Sequence, residues 1–154
     1  MNAHINYLLA DFGNALGLEG LSLDESGHCC LSFDDIAVSI ESVGDSSLVL
    51  LYSGLGILPE DAGREVYIRL LEANYFFHGT AGATIGLDAS SREAAITRVL
   101  DAAGMKVLDW EAALKGFIDA AENCKALLQA RADNAPSSPD RDLSPTNRNH
   151  FIRG

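Results

Sequence analysis

The chain has 154 residues, with 22 acidic and 11 basic side chains and a formal net charge of −11. Such a length fits one domain with a real core, and a chain that is 47% hydrophobic and 21% charged is globular. Apolar runs as short as Leu48–Tyr52 exclude a transmembrane helix, while the acidity argues against phosphate backbones and anionic lipid, so neither nucleic acid nor membrane is an expected partner.

Ile5, Leu8, Leu9, Phe12 and Leu16 recur at helical spacing and predict a one-faced helix that Gly17 closes. Three strand-like runs follow. Cys29, Leu31 and Phe33 alternate with His28, Cys30 and Ser32, and Ile36, Val38 and Ile40 alternate with Ala37, Ser39 and Glu41. The third run, Leu48 to Tyr52, is apolar on both faces. Asp34-Asp35 and Gly44-Asp45-Ser46 have turn chemistry, and connections this short demand an antiparallel meander. The third strand must be covered twice or offer an apolar surface.

Pro59-Glu60-Asp61 predicts the start of a second helix that runs through Val66, Tyr67, Ile68, Leu70, Leu71, Tyr75 and Phe76. These side chains cover more than one stripe, so the helix is expected to pack on its own sheet and on another subunit. Gly79-Thr80-Ala81-Gly82 breaks the helix, and short strands are expected over Ala83–Asp88 and Ala95–Leu100, with a weak extended stretch around Leu21 and Leu23. Trp110, Leu114, Phe117, Ala121, Cys124 and Leu128 mark a final amphipathic helix over about 109–131, with Asp109 as the expected N-cap. Residues 133–150 hold three of the four prolines and one large aliphatic residue, Leu143, so 1–131 reads as the domain and 132–154 as a flexible C-terminal tail. Acids and bases balance in that tail, which leaves the whole excess of negative charge on residues 1–131.

Chemistry is sparse. Cys29, Cys30 and Cys124 have no CxxC spacing and read as structural thiols of a reducing compartment. The first residues lack the basic region of a signal peptide, so a cytoplasmic location is expected. His4, His28, His78 and His150 are scattered, no metal-ligand spacing occurs, and Gly79–Gly86 lacks both the Walker and the GxGxxG pattern. Asp34-Asp35 and Glu60-Asp61 sit where a turn and a helix start explain them. No catalytic residues, metal or cofactor are expected.

The segment Leu70-Leu71-Glu72-Ala73-Asn74-Tyr75-Phe76-Phe77-His78-Gly79-Thr80-Ala81-Gly82-Ala83-Thr84-Ile85-Gly86-Leu87-Asp88 resembles the Leu-Leu-x-Ala-Asn-Phe, Gly-x-Gly-Ala-Thr-Leu-Gly-Leu-Asp signature of class I type III secretion chaperones, the Tir-chaperone (CesT-type) family. The element order also agrees, α-β-β-β-α-β-β-α. The resemblance implies an α+β fold with a twisted antiparallel sheet flanked by helices. It implies a bacterial, cytoplasmic homodimer that holds the N-terminal segment of a secreted effector in extended, secretion-competent form. Such a dimer passes its client to the secretion ATPase without hydrolysing anything itself. The tail past Arg131 is a departure that the family does not require.

The residues support such a mechanism. A two-fold interface is expected through Val66, Ile68, Leu71 and Tyr75. Client grooves are expected through Leu8, Phe12 and Leu16 on the first helix and Ile36, Val38 and Leu50 on strands, with main-chain pairing at a sheet edge. Ordinary core packing is the competing reading for each of these side chains, because one helix stripe cannot serve both roles. Net negative charge would speed capture of basic segments and keep apolar grooves soluble. The alternatives are a generic dimeric peptide- or protein-binding module of similar build and, from another class, a small enzyme with no recognisable motif.

Overall fold

A computed structural model describes residues 2–129; the tail expected over 132–154 lies outside the described residues. The chain runs α1 (Asn2–Ala15), β1 (His28–Phe33), β2 (Ile36–Ser42), β3 (Leu48–Ile57), α2 (Arg64–Asn74), a 3-10 turn (Tyr75–Phe77), β4 (Thr84–Asp88), β5 (Glu93–Asp101) and α3 (Val107–Gln129). This is the expected α+β order. The five strands form one antiparallel sheet in the order β1-β2-β3-β5-β4.

Local chemistry sets the boundaries. Gly17, at φ 74°, ends α1: its N–H bonds the Asn14 carbonyl and the Leu18 N–H reaches back to Gly13 O at 2.8 Å. Asp34 takes φ 49° in the two-residue turn between β1 and β2, an angle that the tight hairpin requires. β3 is longer than the apolar run suggested, because it continues through Gly54 and Gly56 across a bulge opposite β5.

Four expectations are corrected. The second helix begins at Arg64, since residues from Pro59 onward form turns in which the Ala62 N–H bonds Pro59 O. It ends at Asn74 instead of running through Phe76, whose φ of 49° breaks the helical path. The stretch around Leu21 and Leu23 forms no strand; the Leu23 N–H instead donates to Asn6 Oδ1 at 2.9 Å, tying the loop to α1. The final helix starts at Val107, which places Asp109 in its first turn rather than at its cap.

One face of the sheet carries the core. Leu31, Ile36, Val38, Ile40, Val49, Leu51 and Ile96 meet Leu8, Leu9 and Phe12 of α1 and the fully buried Trp110, Leu114 and Phe117 of α3. α3 packs on β2 and β3, while α2 lies against α3 and β4. Fully burying each of these side chains stabilises the fold by about 1.5–3 kcal/mol. Among the described residues no helix is long and apolar enough to cross a membrane.

Candidate functional site: an open sheet, a free edge and a two-faced helix

The opposite face of the sheet supplies the apolar surface that β3 foreshadowed. Cross-strand register aligns His28, Glu41, Leu50 and Val99 in one row, and Cys30, Ser39, Tyr52, Thr97 and Thr84 in the next. Val99 is 58% exposed, and Leu50 and Tyr52 are half-buried. Small residues form the next row on one side of this apolar centre, with Gly54 beside Ala95 and Ala95 beside Gly86. The result is a shallow trough that exposes main chain and can seat a partner's side chains.

β1 is one edge of the sheet. Its first residue, His28, donates its N–H to Asp24 Oδ1 and accepts the Asp24 N–H, so its backbone points away from β2. Antiparallel bonding alternates along a strand, so the N–H and C=O of Cys30 and Ser32 also point outward. Among the described residues no strand pairs with that side of β1, which leaves an edge on which an extended peptide can add.

β4, the other edge, is closed differently. Asn74, the last residue of α2, donates its amide to Ile85 O at 3.1 Å and accepts the Ile85 N–H at 2.8 Å. The side chain thus imitates a neighbouring strand and locks α2 onto the edge. The turn after it is equally constrained: a Cβ on Gly79 would stand 3.0 Å from the Ala73 Cβ, and one on Gly82, at φ 84°, would meet the Arg98 guanidinium. Asp88 ends the segment by accepting bonds from Ser90 and Ser91, and these, the Ser90 N–H foremost, hold its carboxyl below the usual range.

α2 shows two faces. Val66, Leu70 and Ala73 point inward, whereas Tyr67, Leu71 and Tyr75 are exposed and Ile68 is half-buried. Leu71 and Tyr75 keep 68% and 65% of their surface, and the turn adds Phe76 and Phe77, both at positive φ, on the same apolar knob. Holding two bulky residues there costs on the order of 1–3 kcal/mol each.

The expected site residues therefore divide. Leu8, Phe12, Ile36 and Val38 are enclosed in the protomer's own core, because the single stripe of α1 and the inward face of β2 are used up there. Leu50 lies in the open trough and Leu16 is exposed just beyond α1. Val66 packs inward, Ile68 and Leu71 lie on the outer stripe of α2, and Tyr75 is exposed in the turn that follows it.

Sequence reasoning missed the distribution of charge. Residues 1–63, which supply α1 and β1 to β3, contain ten acids and no lysine or arginine; the first is Arg64. Asp24, Glu25, Asp34, Asp35 and Glu41 lie on β2 or in the loops that bound β1, and Lys125 of α3 pairs with Asp35 at 3.1 Å. The edge and its side of the trough are therefore predominantly acidic, a bias legible in a running charge count along the chain. Burial pushes the thiols of Cys29 and Cys124 up, and Cys30 is exposed on the open face of β1. Among the described residues no group of side chains could hold a metal ion.

A model of the Tir chaperone protein (CesT) family matches residues 7–125. The transcriptional anti-antiactivator ExsC of Pseudomonas aeruginosa is 28% identical over 137 residues, 86% of this chain and 91% of ExsC. The crystal structure of the ExsC–ExsE complex superposes with a TM-score of 0.67 at 28% identity, covering 83% of this chain and 96% of that one. The heterodimeric ExoU–SpcU complex from the type III secretion system of P. aeruginosa shares the fold, with a TM-score of 0.63 at 18% identity and coverage of 82% and 98%.

Proposed function

The chain belongs to the Tir chaperone protein (CesT) family, and from that premise we propose that it is a type III secretion chaperone whose client is held, extended and unfolded, along β1 and the open trough. The observation that carries this reading is the coincidence of an edge strand with no strand partner beyond β2 among the described residues, an apolar trough and a predominantly acidic surface around that edge. Main-chain pairing at Cys30 and Ser32 gives such a site affinity without demanding a fixed sequence. Leu50, Tyr52 and Val99 take apolar client side chains, and the acids select a segment rich in lysine or arginine. Leu16, exposed beside α1, extends the same role.

The outer stripe of α2, Ile68 and Leu71, with Tyr75 and Phe76 of the turn after it, binds a second copy of the chain and makes a homodimer. The dimer works in the bacterial cytoplasm, hands its client to the secretion ATPase, and catalyses no reaction itself, since every feature of the site is a binding surface.

Co-expression with the first hundred or so residues of the secreted protein encoded beside it tests the reading. Light scattering is expected to find two copies of the chain holding one client fragment in a soluble complex. A chain that purifies alone while the client aggregates contradicts it. A second reading is favoured by the name of the 28%-identical relative, an anti-antiactivator of transcription. There the same surface captures a regulatory protein, and the identity of the partner that competes for β1 separates the two.

A further inference from the structure

We propose that α2 docks antiparallel on α2 of a second copy of this chain, and that Arg64 and Glu72 fix that orientation by pairing across a two-fold axis between Ile68 and Leu71. This rests on the reading of the outer stripe of α2 as a dimer face. It adds the direction of the two helices and the charges that select a like partner.

The sequence of α2 breaks a local rule at both ends. A helix dipole favours acids in the first turn and bases in the last. Yet Arg64 is the first residue of α2, no base occupies its last turn, and Glu72 lies two residues before its end. Neither charge is compensated within the protomer: the ion pairs among the described residues are Arg92–Glu60 and Lys125–Asp35, and Arg64 and Glu72 are both exposed. Local rules broken in this way point to a demand from outside the element. A second α2 laid antiparallel supplies what each end lacks. Its C-terminal half brings Glu72 beside Arg64, and its N-terminus brings Arg64 beside Glu72.

Helical geometry places both charges at the margins of the apolar stripe. Eight residues apart, they are separated by about 12 Å along the axis and about 80° around it, with Ile68 halfway on both measures. Leu71, 68% exposed, adjoins Ile68 on the same face. An axis between these two residues sets Ile68 of one copy against Leu71 of the other. Arg64 then lies roughly 4.5 Å along the axis from the opposite Glu72, within reach of an arginine at the ~8–10 Å spacing of packed helices. Tyr75, packed edge-on against Phe76 at 4.6 Å, falls opposite the same arginine and offers its ring to the guanidinium. Parallel docking would instead set Arg64 against Arg64 and Glu72 against Glu72.

The charge of the whole chain explains why the contact face has this character. Two copies of a chain with net charge −11 repel each other. Residues 1–63 contain no lysine or arginine, whereas α2 carries two bases, Arg64 and Arg69, and two acids, Glu65 and Glu72. On an acidic protein α2 is thus a neutral, self-complementary apolar face. A basic client matches the β1 edge; a second copy matches α2.

Charge-reversed variants test this. Arg64→Glu carries acids at both positions, and Glu72→Arg carries bases at both. Each alone is expected to dimerise roughly tenfold more weakly than the natural chain in sedimentation equilibrium at low salt. An equimolar mixture of the two should form mixed dimers, and the double variant Arg64→Glu, Glu72→Arg should regain the natural affinity. Both substitutions install the charge that the helix dipole favours, so circular dichroism should show folded protomers throughout. Asp45→Arg, in the exposed turn between β2 and β3, changes the net charge as Glu72→Arg does and should leave the dimer at least as tight. Single variants that dimerise like the natural chain, or a mixture that pairs at random, overturn the proposal and leave a dimer through α2 standing. A natural chain that is monomeric, or whose dimer survives Leu71→Asp, overturns the proposal together with the dimer face on which it rests.

Discussion

Replacing Asn74→Ala removes the clamp between α2 and the β4 edge. The side chain makes two hydrogen bonds, 2.8 Å from the Ile85 N–H and 3.1 Å to Ile85 O, each worth about 1 kcal/mol net. Ile85 is buried, so both orphaned backbone groups are partly shielded from water and a further cost of about 1 kcal/mol follows. Alanine regains roughly 0.5 kcal/mol in helix propensity at the end of α2. The balance is a destabilisation of about 2–2.5 kcal/mol, which in a domain of this size lowers Tm by roughly 5–10 °C. Urea unfolding followed by circular dichroism, at a fixed chain concentration because a dimer's stability depends on it, reads the value. Asn74→Asp keeps an acceptor for the Ile85 N–H but loses the donor, so it should destabilise as well. Both variants unfolding within 0.5 kcal/mol of the natural chain would refute the clamp.

Three further outcomes are expected. Leu71→Asp, on the exposed stripe of α2, should convert the proposed dimer to a folded monomer in size-exclusion chromatography with light scattering, and a persistent dimer would place the interface elsewhere. Val99→Asp adds a charge to the open trough at an exposed site, so it should weaken client capture tenfold or more while moving the urea midpoint little; unchanged capture would remove the trough from the site. Asp24, Asp88 and Asp101 have carboxyls held below their ordinary 3.8, chiefly by the Ser26 hydroxyl, the Ser90 N–H and the Ser47 hydroxyl respectively. A depressed folded pKa contributes stability that is present above the unfolded value and lost as pH falls through the folded one, so the decline belongs below about pH 4. Asp88→Asn should flatten that decline in urea midpoints taken from pH 5 to pH 2.5, and an unchanged slope would mean that the turn bonds carry no linkage.

Much of the fold was legible because its periodicities are local. The stripe Ile5, Leu8, Leu9 and Phe12 and the alternation around Leu31 and Val38 identify elements that the structure contains. The meander followed from loops too short for a crossover. Both ends of α2 depart from the expected bounds for physical reasons. Pro59 and two acids suit a helix start, but residues 59–63 are spent in turns, and two aromatics take positive φ where helical spacing would have continued.

The candidate site was less legible. Periodicity says which side chains are apolar but not which apolar face is covered. Leu8, Phe12, Ile36 and Val38 therefore looked as available as Leu50, and only the packing of α1 and α3 onto one side of the sheet distinguishes them. Val66 and Leu71 likewise sit on one apolar helix, and the docking of α2 on α3 and β4 turns the first inward and the second out. The Asn74 clamp was invisible for another reason: an asparagine at a helix end has many partners open to it, and the pairing with Ile85 exists only once α2 and β4 are side by side. The run of acids up to Glu60 and Asp61, unbroken by any lysine or arginine, needed no structure at all, but it gained meaning when β1 proved to be an edge.

The most direct measurement is the amide-exchange footprint of a client on the chain. The purified complex with the client's N-terminal hundred or so residues should slow exchange at Cys30 and Ser32 of β1, relative to the free protein, and the protection should weaken as salt rises. Protection confined to α2 and its aromatic knob, with β1 exchanging as it does in the free chain, would contradict a client strand on the acidic edge.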